Sequence, residues 1–421
     1  MTRARGGAAV AMFVAALGVA LVATACGSSQ PEAPTTVLKV VMTDDWVTAP
    51  FIDAVREFER LHPDAQIAIE RSAIGRMSDV VRAGISSGAP PDVIQGHATT
   101  GAGQGLAQPV DDLWAKYKLS PDEFLPGAVE DVTWGGKRYG VPLDSNAMAL
   151  FYDIDMFRAA GVSPPTPTMT FGDFEQMARA LTSADGTRRA IAVPIDSWVS
   201  YGWIRANDGE LVQVGEDGRP RFSLDSPRVV ETISFLDRLV DARVAFGPAS
   251  PDTGSRDAYG LFKAEATAMY ASGSWDLVRL RKEAGGRNIG VALMPGGVTG
   301  TTEGTVMGGS SMWIPKGAKQ RDLAFEFMKL VSSDPYAIRF ATTEGRLPVR
   351  PRLFDDPHFQ QTPLNVFVKQ LQSAHPPILG ALAEAAKAYT DALTQVFKNN
   401  RDPAEELQRA QARAVASLSP P

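Results

Sequence analysis

The feature that most restricts the fold of this chain is an alternation of strand-like and helix-like segments near its amino terminus. Short runs rich in apolar and β-branched residues alternate with segments whose apolar residues are spaced three or four apart. The strand-like runs are Val37–Met42, Ala65–Ile69 and Asp92–Gln95, and the helix-like segments between them are 51–61 and 77–85. This β-α-β-α-β alternation predicts a parallel sheet with helices on both faces.

Turn and cap signals mark further elements along the chain. The pair Gly135-Gly136, between short polar and aromatic stretches, is typical of a hairpin. Thr170 with an acidic residue three positions later predicts the start of a helix that runs to Leu181. The glycine-rich segment 297–309 predicts a loop, and a short strand is expected at 312–314.

Residues 1–25 have the order of a secretory signal peptide. Arg3 and Arg5 make the start basic, and an uncharged apolar run of 18 residues follows from Ala8 to Ala25. The alternative is a transmembrane anchor, but the run is at the short limit of what spans a bilayer. The sequence therefore predicts export through a cleaved signal.

Cys26 is the only cysteine of the chain, so no intramolecular disulfide can form. The segment 23–26 resembles a bacterial lipobox, with Ala23 where leucine is more usual, and this predicts lipid attachment at Cys26. Residues 26–36 are small, polar and proline-rich, which predicts a flexible tether. The mature protein is thus expected on the extracytoplasmic face of the cell membrane, held by its lipid.

Composition and motifs exclude several classes of protein. The 421 residues carry a formal net charge of −6 without a Lys/Arg cluster, which disfavours nucleic-acid binding. Four histidines and one cysteine offer no metal cluster, and no cofactor is expected. Motifs of serine hydrolases, zinc proteases, P-loop enzymes and dinucleotide-binding enzymes are missing, and 101–105 has its third glycine too early. A glycosidase is the enzyme class that candidate carboxylates could suggest, because it needs two carboxylates across a cleft. Spacing in the sequence does not establish that arrangement. We therefore expect no catalytic residues.

An ordered set of short motifs resembles a known family. The motifs are Pro91-Asp92-Val93, Tyr139–Pro142, Leu150–Asp153, Phe157–Val162, Phe262–Met269, Gly273-Ser274-Trp275, Gly308-Gly309 and Leu347–Arg350. Their order and spacing over residues 37–420 resemble the family 1 extracellular solute-binding proteins, the maltose-binding-protein-like carbohydrate receptors of ABC importers. The chain is also compatible with the mycobacterial members that bind amino sugars.

The resemblance implies a type II periplasmic-binding-protein-like α/β fold. Two lobes, each with a mostly parallel sheet flanked by helices, would enclose a ligand cleft. Lobe 1 would be 37–145 plus 309–350, and lobe 2 would be 146–308 plus 351–421. The implied protein is a monomer that captures a sugar and delivers it to membrane permease subunits by a hinge motion.

Polar and aromatic residues at predicted strand ends are the first candidates for ligand binding. Asp45 and Trp46 follow the first strand, although an aspartate there could instead cap the next helix. His97 follows the strand that ends at Gln95, and could equally be a loop residue without a ligand. Asp144 and Asn146 lie at the predicted first crossing, where buried polar residues need a partner.

Aromatic residues supply the apolar faces that sugar C–H groups require. Trp198, Tyr201 and Trp203 follow Asp196 within one short segment, where one ring is expected on the ligand and the others in the core. By resemblance to the family, Trp275 forms the aromatic wall of the site, next to Ser274.

Gly309 and Ser310 lie at the predicted second crossing, where glycine would permit close approach of a ligand or bending of the hinge. Arg346 could fork onto hydroxyls or phosphate, or pair with an acid. The acid-rich candidates Asp45, Asp144 and Asp196 favour a neutral or cationic ligand such as an amino sugar. Glycerophosphodiesters and polyamines remain alternative ligands. A secreted glycan-active enzyme is a remote alternative function for the whole protein.

Overall fold

The computed structural model describes residues 36–248, 257–283, 285–299 and 304–418. The predicted signal peptide, Cys26 and nearly all of the predicted tether lie outside the described residues. Thr36, which the prediction placed in the tether, is the first residue of a strand, and its amide donates to the Asp64 carbonyl at 3.0 Å.

The described residues contain fifteen strands between residues 36 and 375. They are Thr36–Met42 (β1), Ala65–Arg71 (β2), Val93–Gly96 (β3), Thr133–Trp134 (β4), Lys137–Arg138 (β5), Gly140–Ala147 (β6), Ala149–Asp153 (β7), Ile191–Ala192 (β8), Val212–Val214 (β9), Pro220–Phe222 (β10), Ala245–Phe246 (β11), Met269–Ser272 (β12), Ile289–Ala292 (β13), Thr305–Trp313 (β14) and Ala374–His375 (β15).

Helices connect and cover these strands. They are Ala49–Leu61 (α1), Met77–Ser86 (α2), Ala98–Gly103 (α3), Asp111–Lys116 (α4), Pro126–Asp131 (α5), Ile154–Ala159 (α6), Phe171–Leu181 (α7), Ser197–Ala206 (α8), Pro227–Asp241 (α9), Ala258–Lys263 (α10), Trp275–Glu283 (α11), Arg321–Val331 (α12), Asp334–Glu344 (α13), Pro357–Gln360 (α14), Leu364–Leu371 (α15), Ala383–Asn399 (α16) and Pro403–Ala416 (α17).

The first five predicted elements are confirmed as β1, α1, β2, α2 and β3. Helix α1 forms because its apolar side chains recur on one face, and Phe51, Val55 and Phe58 are buried against the first sheet and α12. The predicted capping box is also present, since Thr170 Oγ1 accepts from the Asp173 amide at 3.1 Å and Asp173 accepts from the Thr170 amide.

The first sheet has the order β6-β14-β3-β1-β2, with β15 beside the start of β14. Strand β1 is parallel to both β2 and β3, whereas β14 is antiparallel to β3 and β6. The second sheet places β7 between β12 and β13, with both pairs antiparallel, and the parallel pair β8–β11 lies beside it. The α/β class is confirmed, but the sheets are mixed rather than mostly parallel.

The mixed pairing has a topological cause. Strand β6 continues through Met148 into β7 and so carries the chain from the first sheet to the second. Strand β14 brings the chain back, and a returning strand beside an outgoing one must run antiparallel to it. The glycine-rich segment predicted as a loop therefore ends earlier, because residues 305–309 belong to β14.

Two apolar clusters form the interior. One lies around the first sheet with α1, α12 and α13, and it continues to residues such as Phe262, Leu277 and Phe367. The other lies around α7, α8, α9, α16 and α17. The first cluster crosses the boundary predicted between the lobes, and the exact limits of lobe 1 and lobe 2 stay a prediction.

Candidate ligand-binding cleft

The crossing strands β6 and β14 form the floor of the candidate site. Asp144, Ser145 and Asn146 of β6 are all buried, and they lie opposite Ser310, Gly309 and Gly308 of β14, respectively. Ser145 also joins this floor to residues 347–348, just before the third predicted crossing between the lobes at residue 350. Its amide donates to the Leu347 carbonyl at 2.7 Å and its hydroxyl to the Pro348 carbonyl at 2.8 Å. The three segments predicted to cross between the lobes thus contact one another.

The two glycines of β14 are required by close approach of the strands. A Cβ on Gly308 would lie 2.2 Å from Asn146 Oδ1, and one on Gly309 would lie 2.4 Å from the Asp144 carbonyl oxygen. Gly309 also has a φ of +115°, which side chains rarely permit. The glycines therefore hold the backbone of β14 directly against the polar residues of β6.

Asp144 is a buried carboxylate with one oxygen directed away from its backbone partner. Oδ1 accepts a hydrogen bond from the Ser310 amide at 2.6 Å. Oδ2 is buried and accepts no hydrogen bond from the described residues, and Arg346 Nη1 lies 3.9 Å from it. Burial raises the pKa of Asp144 to about 6, against the attraction of Arg346.

Arg346 anchors the acidic wall of the site. Its guanidinium donates to Asp45 Oδ2 and to the Asp45 carbonyl, each at 3.0 Å, and lies 4.1 Å from the centroid of the Trp46 ring. Arg346 is therefore paired with an acid, one of the two roles expected for it. Burial acts to raise the pKa of Asp45, but hydrogen bonds from Thr43 and Arg346 outweigh it and lower that pKa.

Gln95 ties the ends of β1 and β3 to the floor. Its Nε2 donates to Ser310 Oγ at 2.6 Å, and its Oε1 accepts from the Thr43 amide at 3.1 Å. Both strands end at this edge of the sheet, as expected where parallel strands create a ligand cleft.

These residues line an open cavity of about 810 Å³. Its walls are Thr43, Asp44, Asp45, Trp46, Arg71, Ser72, Ala73, Gln95, Asn146, Gly309, Ser310 and Arg346. Six of the predicted site residues line it, namely Asp45, Trp46, Asn146, Gly309, Ser310 and Arg346. Each arginine of the wall is already paired, Arg71 with Asp44 at 3.0 Å and Arg346 with Asp45.

The sequence interpretation missed Arg71 and the two residues after it. Arg71 is the last residue of β2, and β2 is parallel to β1. The rule that selected Asp45, a polar side chain at the carboxyl end of a parallel strand, would also have selected Arg71.

His97 faces a second, smaller cavity of about 200 Å³. Its Nδ1 lies 2.7 Å from Asp131 Oδ1, and Asp131 also accepts from Ser311 Oγ at 3.0 Å. Burial acts to lower the pKa of His97, but the adjacent Asp131 carboxylate outweighs it and raises that pKa. Trp198 and Tyr201 line the same cavity.

The predicted aromatic residues fall into two groups. Trp198 and Trp275 contact each other with ring centroids 5.3 Å apart, and Trp275 is 37% exposed. Trp203 is only 2% exposed and packs against Phe171, Phe174 and Phe235, so it is a core residue. That placement removes Trp203 from the aromatic candidates and leaves Trp198 and Trp275, besides Trp46 of the cleft wall.

Three further candidates, Tyr201, Ser274 and Asp196, are hydrogen-bonded to other groups of the protein. Tyr201 is buried, and its hydroxyl donates to Glu210 Oε1 at 2.8 Å. Ser274 is fully buried, and its hydroxyl donates to the Gly345 carbonyl at 2.8 Å. Asp196 caps α8 by accepting from the amides of Trp198 and Val199.

The described ranges contain no group of three or more His, Cys, Asp or Glu side chains arranged to hold a metal ion. Within the same ranges no helix is both long and apolar enough to cross a bilayer.

Two α/β units joined by crossing strands, with a polar cleft where those strands meet, have an architecture typical of ligand-binding proteins. Residues 43–338 match the family model described as bacterial extracellular solute-binding protein, and the chain belongs to that family. Its members are binding proteins, and the family places them outside the cytoplasm.

Named relatives agree with this class. The chain is 26% identical over 321 residues to the diacetylchitobiose binding protein DasA of Streptomyces coelicolor, covering 72% of this chain and 70% of that protein. The structure of the ABC substrate-binding protein Lmo0181 of Listeria monocytogenes with cycloalternan matches with a TM-score of 0.78 at 21% identity, covering 91% of this chain and 99% of the other. UgpB of Mycobacterium tuberculosis with glycerophosphocholine matches with a TM-score of 0.76 at 17% identity, over 92% and 98% of the two chains.

Proposed function

We propose that the protein is the sugar-binding component of an ABC importer, and that it captures a neutral or amino sugar in the cleft between its lobes. The observation that carries this proposal is a pair of buried acceptors at the cleft floor. Asp144 Oδ2 and Asn146 Oδ1 accept no hydrogen bond from any described residue. A buried acceptor without a donor is costly, and the hydroxyl groups of a sugar are suitable donors.

The charge of the cleft supports a ligand that is not an anion. Arg71 and Arg346 are each matched by an aspartate, and Asp144 adds a further acid behind the floor. A phosphodiester would have to displace one of these pairs. The likeness to UgpB keeps a glycerophosphodiester as the second candidate, with Arg346 as the side chain that would have to change partner.

Trp275 is the aromatic residue proposed to contact the sugar beside the cleft. This residue is 37% exposed, and its Cα lies beside Gly345, the residue before Arg346 of the cleft wall. Trp275 can therefore present an indole face to C–H groups while Asp144, Asn146 and Asp45 take the hydroxyls. Nothing in this arrangement requires a chemical step, so the protein is proposed to bind and release its ligand unchanged.

The cellular setting is part of the same proposal. Lipid attachment at Cys26 would keep the protein at the membrane surface, where the loaded protein meets its permease as a monomer. The proposed lobes, 37–145 plus 309–350 and 146–308 plus 351–421, would close around the ligand by rotation about the three crossings.

The test is ligand-dependent thermal unfolding of residues 35–421, with mono- and disaccharides, amino sugars, glycerophosphodiesters and polyamines. A ligand that binds only the folded state stabilises it by about 2.7 kcal/mol at a hundredfold excess over Kd. A rise in Tm with one sugar class is the expected result. A rise in Tm only with phosphodiesters would make a phosphodiester the ligand in place of a sugar. No rise in Tm with any sugar would refute the proposal.

Asn146→Ala and Asn365→Ala form a matched pair for the same assay. Both asparagines have a buried Oδ1 without a hydrogen bond in the described chain, but only Asn146 lines the cleft. We expect Asn146→Ala to weaken sugar binding about tenfold, the value of roughly one hydrogen bond, and Asn365→Ala to leave it unchanged.

A further inference from the structure

The cavity beside His97 differs from the main cleft in its chemistry. Its volume is about 200 Å³, and most of its surface is apolar. Its wall residues are His97, Thr100, Ser197, Trp198, Tyr201, Glu210, Leu211, Val212, Pro377, Ile378, Leu379, Gly380 and Ala386.

The charged group of this cavity already has its partners. Glu210 Oε1 accepts from the Tyr201 hydroxyl and the Leu211 amide, each at 2.8 Å, and Oε2 accepts from Arg205 Nη1 at 3.1 Å. His97 uses Nδ1 for Asp131, which leaves Nε2 as its group for a ligand. The remaining wall therefore offers mainly carbon surface to an occupant.

The cavity adjoins the cleft. Gln95 lines the cleft and His97 lines the cavity, and the His97 ring is close enough to the Asp144 carboxylate of the cleft floor for each charge to act on the pKa of the other. The walls come from both halves of the molecule, since Thr100 lies on α3 near the first sheet whereas Trp198 lies on α8. The two spaces therefore lie close together beside the crossing strands.

We propose that this cavity binds an apolar substituent, an aryl or short branched alkyl group, of a ligand whose sugar part lies in the cleft. This inference rests on the proposed function. A dry cavity of about 150 Å³ lined by apolar side chains is known to take benzene, so about 200 Å³ is enough for one ring. Apolar burial supplies the affinity, and the Trp198 ring offers the contact face.

The test compares methyl with phenyl glycosides of glucose, galactose, glucosamine and N-acetylglucosamine by calorimetry. We expect the phenyl glycoside of the bound sugar to bind about 10- to 100-fold more tightly than its methyl counterpart. Ala386→Phe, which places a ring in the cavity, should abolish that advantage and leave methyl glycoside affinity unchanged. Ala383→Phe is the matched control, because Ala383 lies on the same helix but is exposed.

Thr100→Phe fills the cavity from the opposite wall and serves where Ala386→Phe fails to fold. Equal affinity for the two glycosides, or an advantage that survives both filling variants, overturns the inference while leaving the proposed function in place.

Failure of every glycoside to bind counts against the proposed function instead. Saturation-transfer NMR with phenol alone then tests whether the cavity binds an aromatic ring. A phenol signal that disappears in Ala386→Phe but persists in Ala383→Phe supports the inference. A missing signal, or one that Ala386→Phe leaves unchanged, overturns it.

Discussion

Replacement of Asp144 by asparagine should stabilise the protein at neutral pH. Burial raises the pKa of this carboxyl from its usual 3.8 to about 6, so the folded protein disfavours the ionised form. At about 1.36 kcal/mol for each pKa unit, the charge costs up to about 3 kcal/mol of folding free energy at pH 7.5. Asparagine keeps the acceptor for the Ser310 amide and removes the charge.

The sign of the pH dependence follows from the raised pKa. Below pH 3.8 the carboxyl is protonated in both states, so Asp144 carries no penalty. Between about pH 4 and pH 6 the unfolded chain loses its proton first, and the stability of the natural protein falls as pH rises. The advantage of Asp144→Asn should therefore be largest above pH 7 and shrink to about 1 kcal/mol at pH 4.5.

Asp153→Asn is the control for burial of an aspartate. Asp153 pairs with Arg287 at 2.6 Å and caps α6, so its removal leaves Arg287 without its main counter-charge. Loss of one partner of a buried pair costs about 3 to 5 kcal/mol. Denaturant unfolding of both variants from pH 4.5 to 8 measures the contrast. Destabilisation by Asp144→Asn at pH 7.5 would refute the reasoning.

Three further outcomes follow from the same geometry. Trp275→Ala should weaken sugar binding about 10- to 100-fold with little change in Tm, whereas Trp203→Ala should cost about 3 to 5 kcal/mol of stability, as calorimetry and thermal unfolding would show. Arg346→Gln removes the cation that opposes the rise of the Asp144 pKa caused by burial, so this pKa should rise further. If the ionisation of Asp144 controls ligand binding, the pH midpoint of binding should move upward with it, and an unchanged midpoint would contradict this role. Gly309→Ala should destabilise the protein by about 1 to 3 kcal/mol, measured by denaturant unfolding, because its φ is +115° and its Cβ would meet the Asp144 carbonyl.

The early strands and helices could be predicted because each depends on local periodicity. The cleft floor could also be predicted in part, since Asp144, Ser145 and Asn146 are consecutive polar residues in a strand whose other residues are apolar or glycine, and buried polar residues need a partner. The length of β14 could not be predicted, because its glycines are typical of a loop unless their pairing with β6 is known. Their use in a strand depends on a neighbour about 160 residues away in the chain.

The aromatic segment shows where local pattern stops being sufficient. Trp198 and Tyr201 share one face of α8, and Trp203 lies about 140° from Trp198 and about 160° from Tyr201 at a rotation of about 100° per residue. Periodicity thus separates Trp203 from the other two. Which face is the core depends on Phe171 and Phe235, which are distant in sequence, so sequence alone could not choose between them.

The candidate site and the proposed hinge use the same strands, and this couples affinity to lobe geometry. Asp144 and Asn146 would receive the ligand, yet they also lie on β6, which passes between the two sheets against Gly308 and Gly309 of β14. A ligand hydroxyl bound there contacts the segment about which the lobes would turn. If the lobes turn about the crossing as proposed, the direction of both acceptors would change, and a ligand that fits them best in one lobe arrangement would shift the population toward that arrangement.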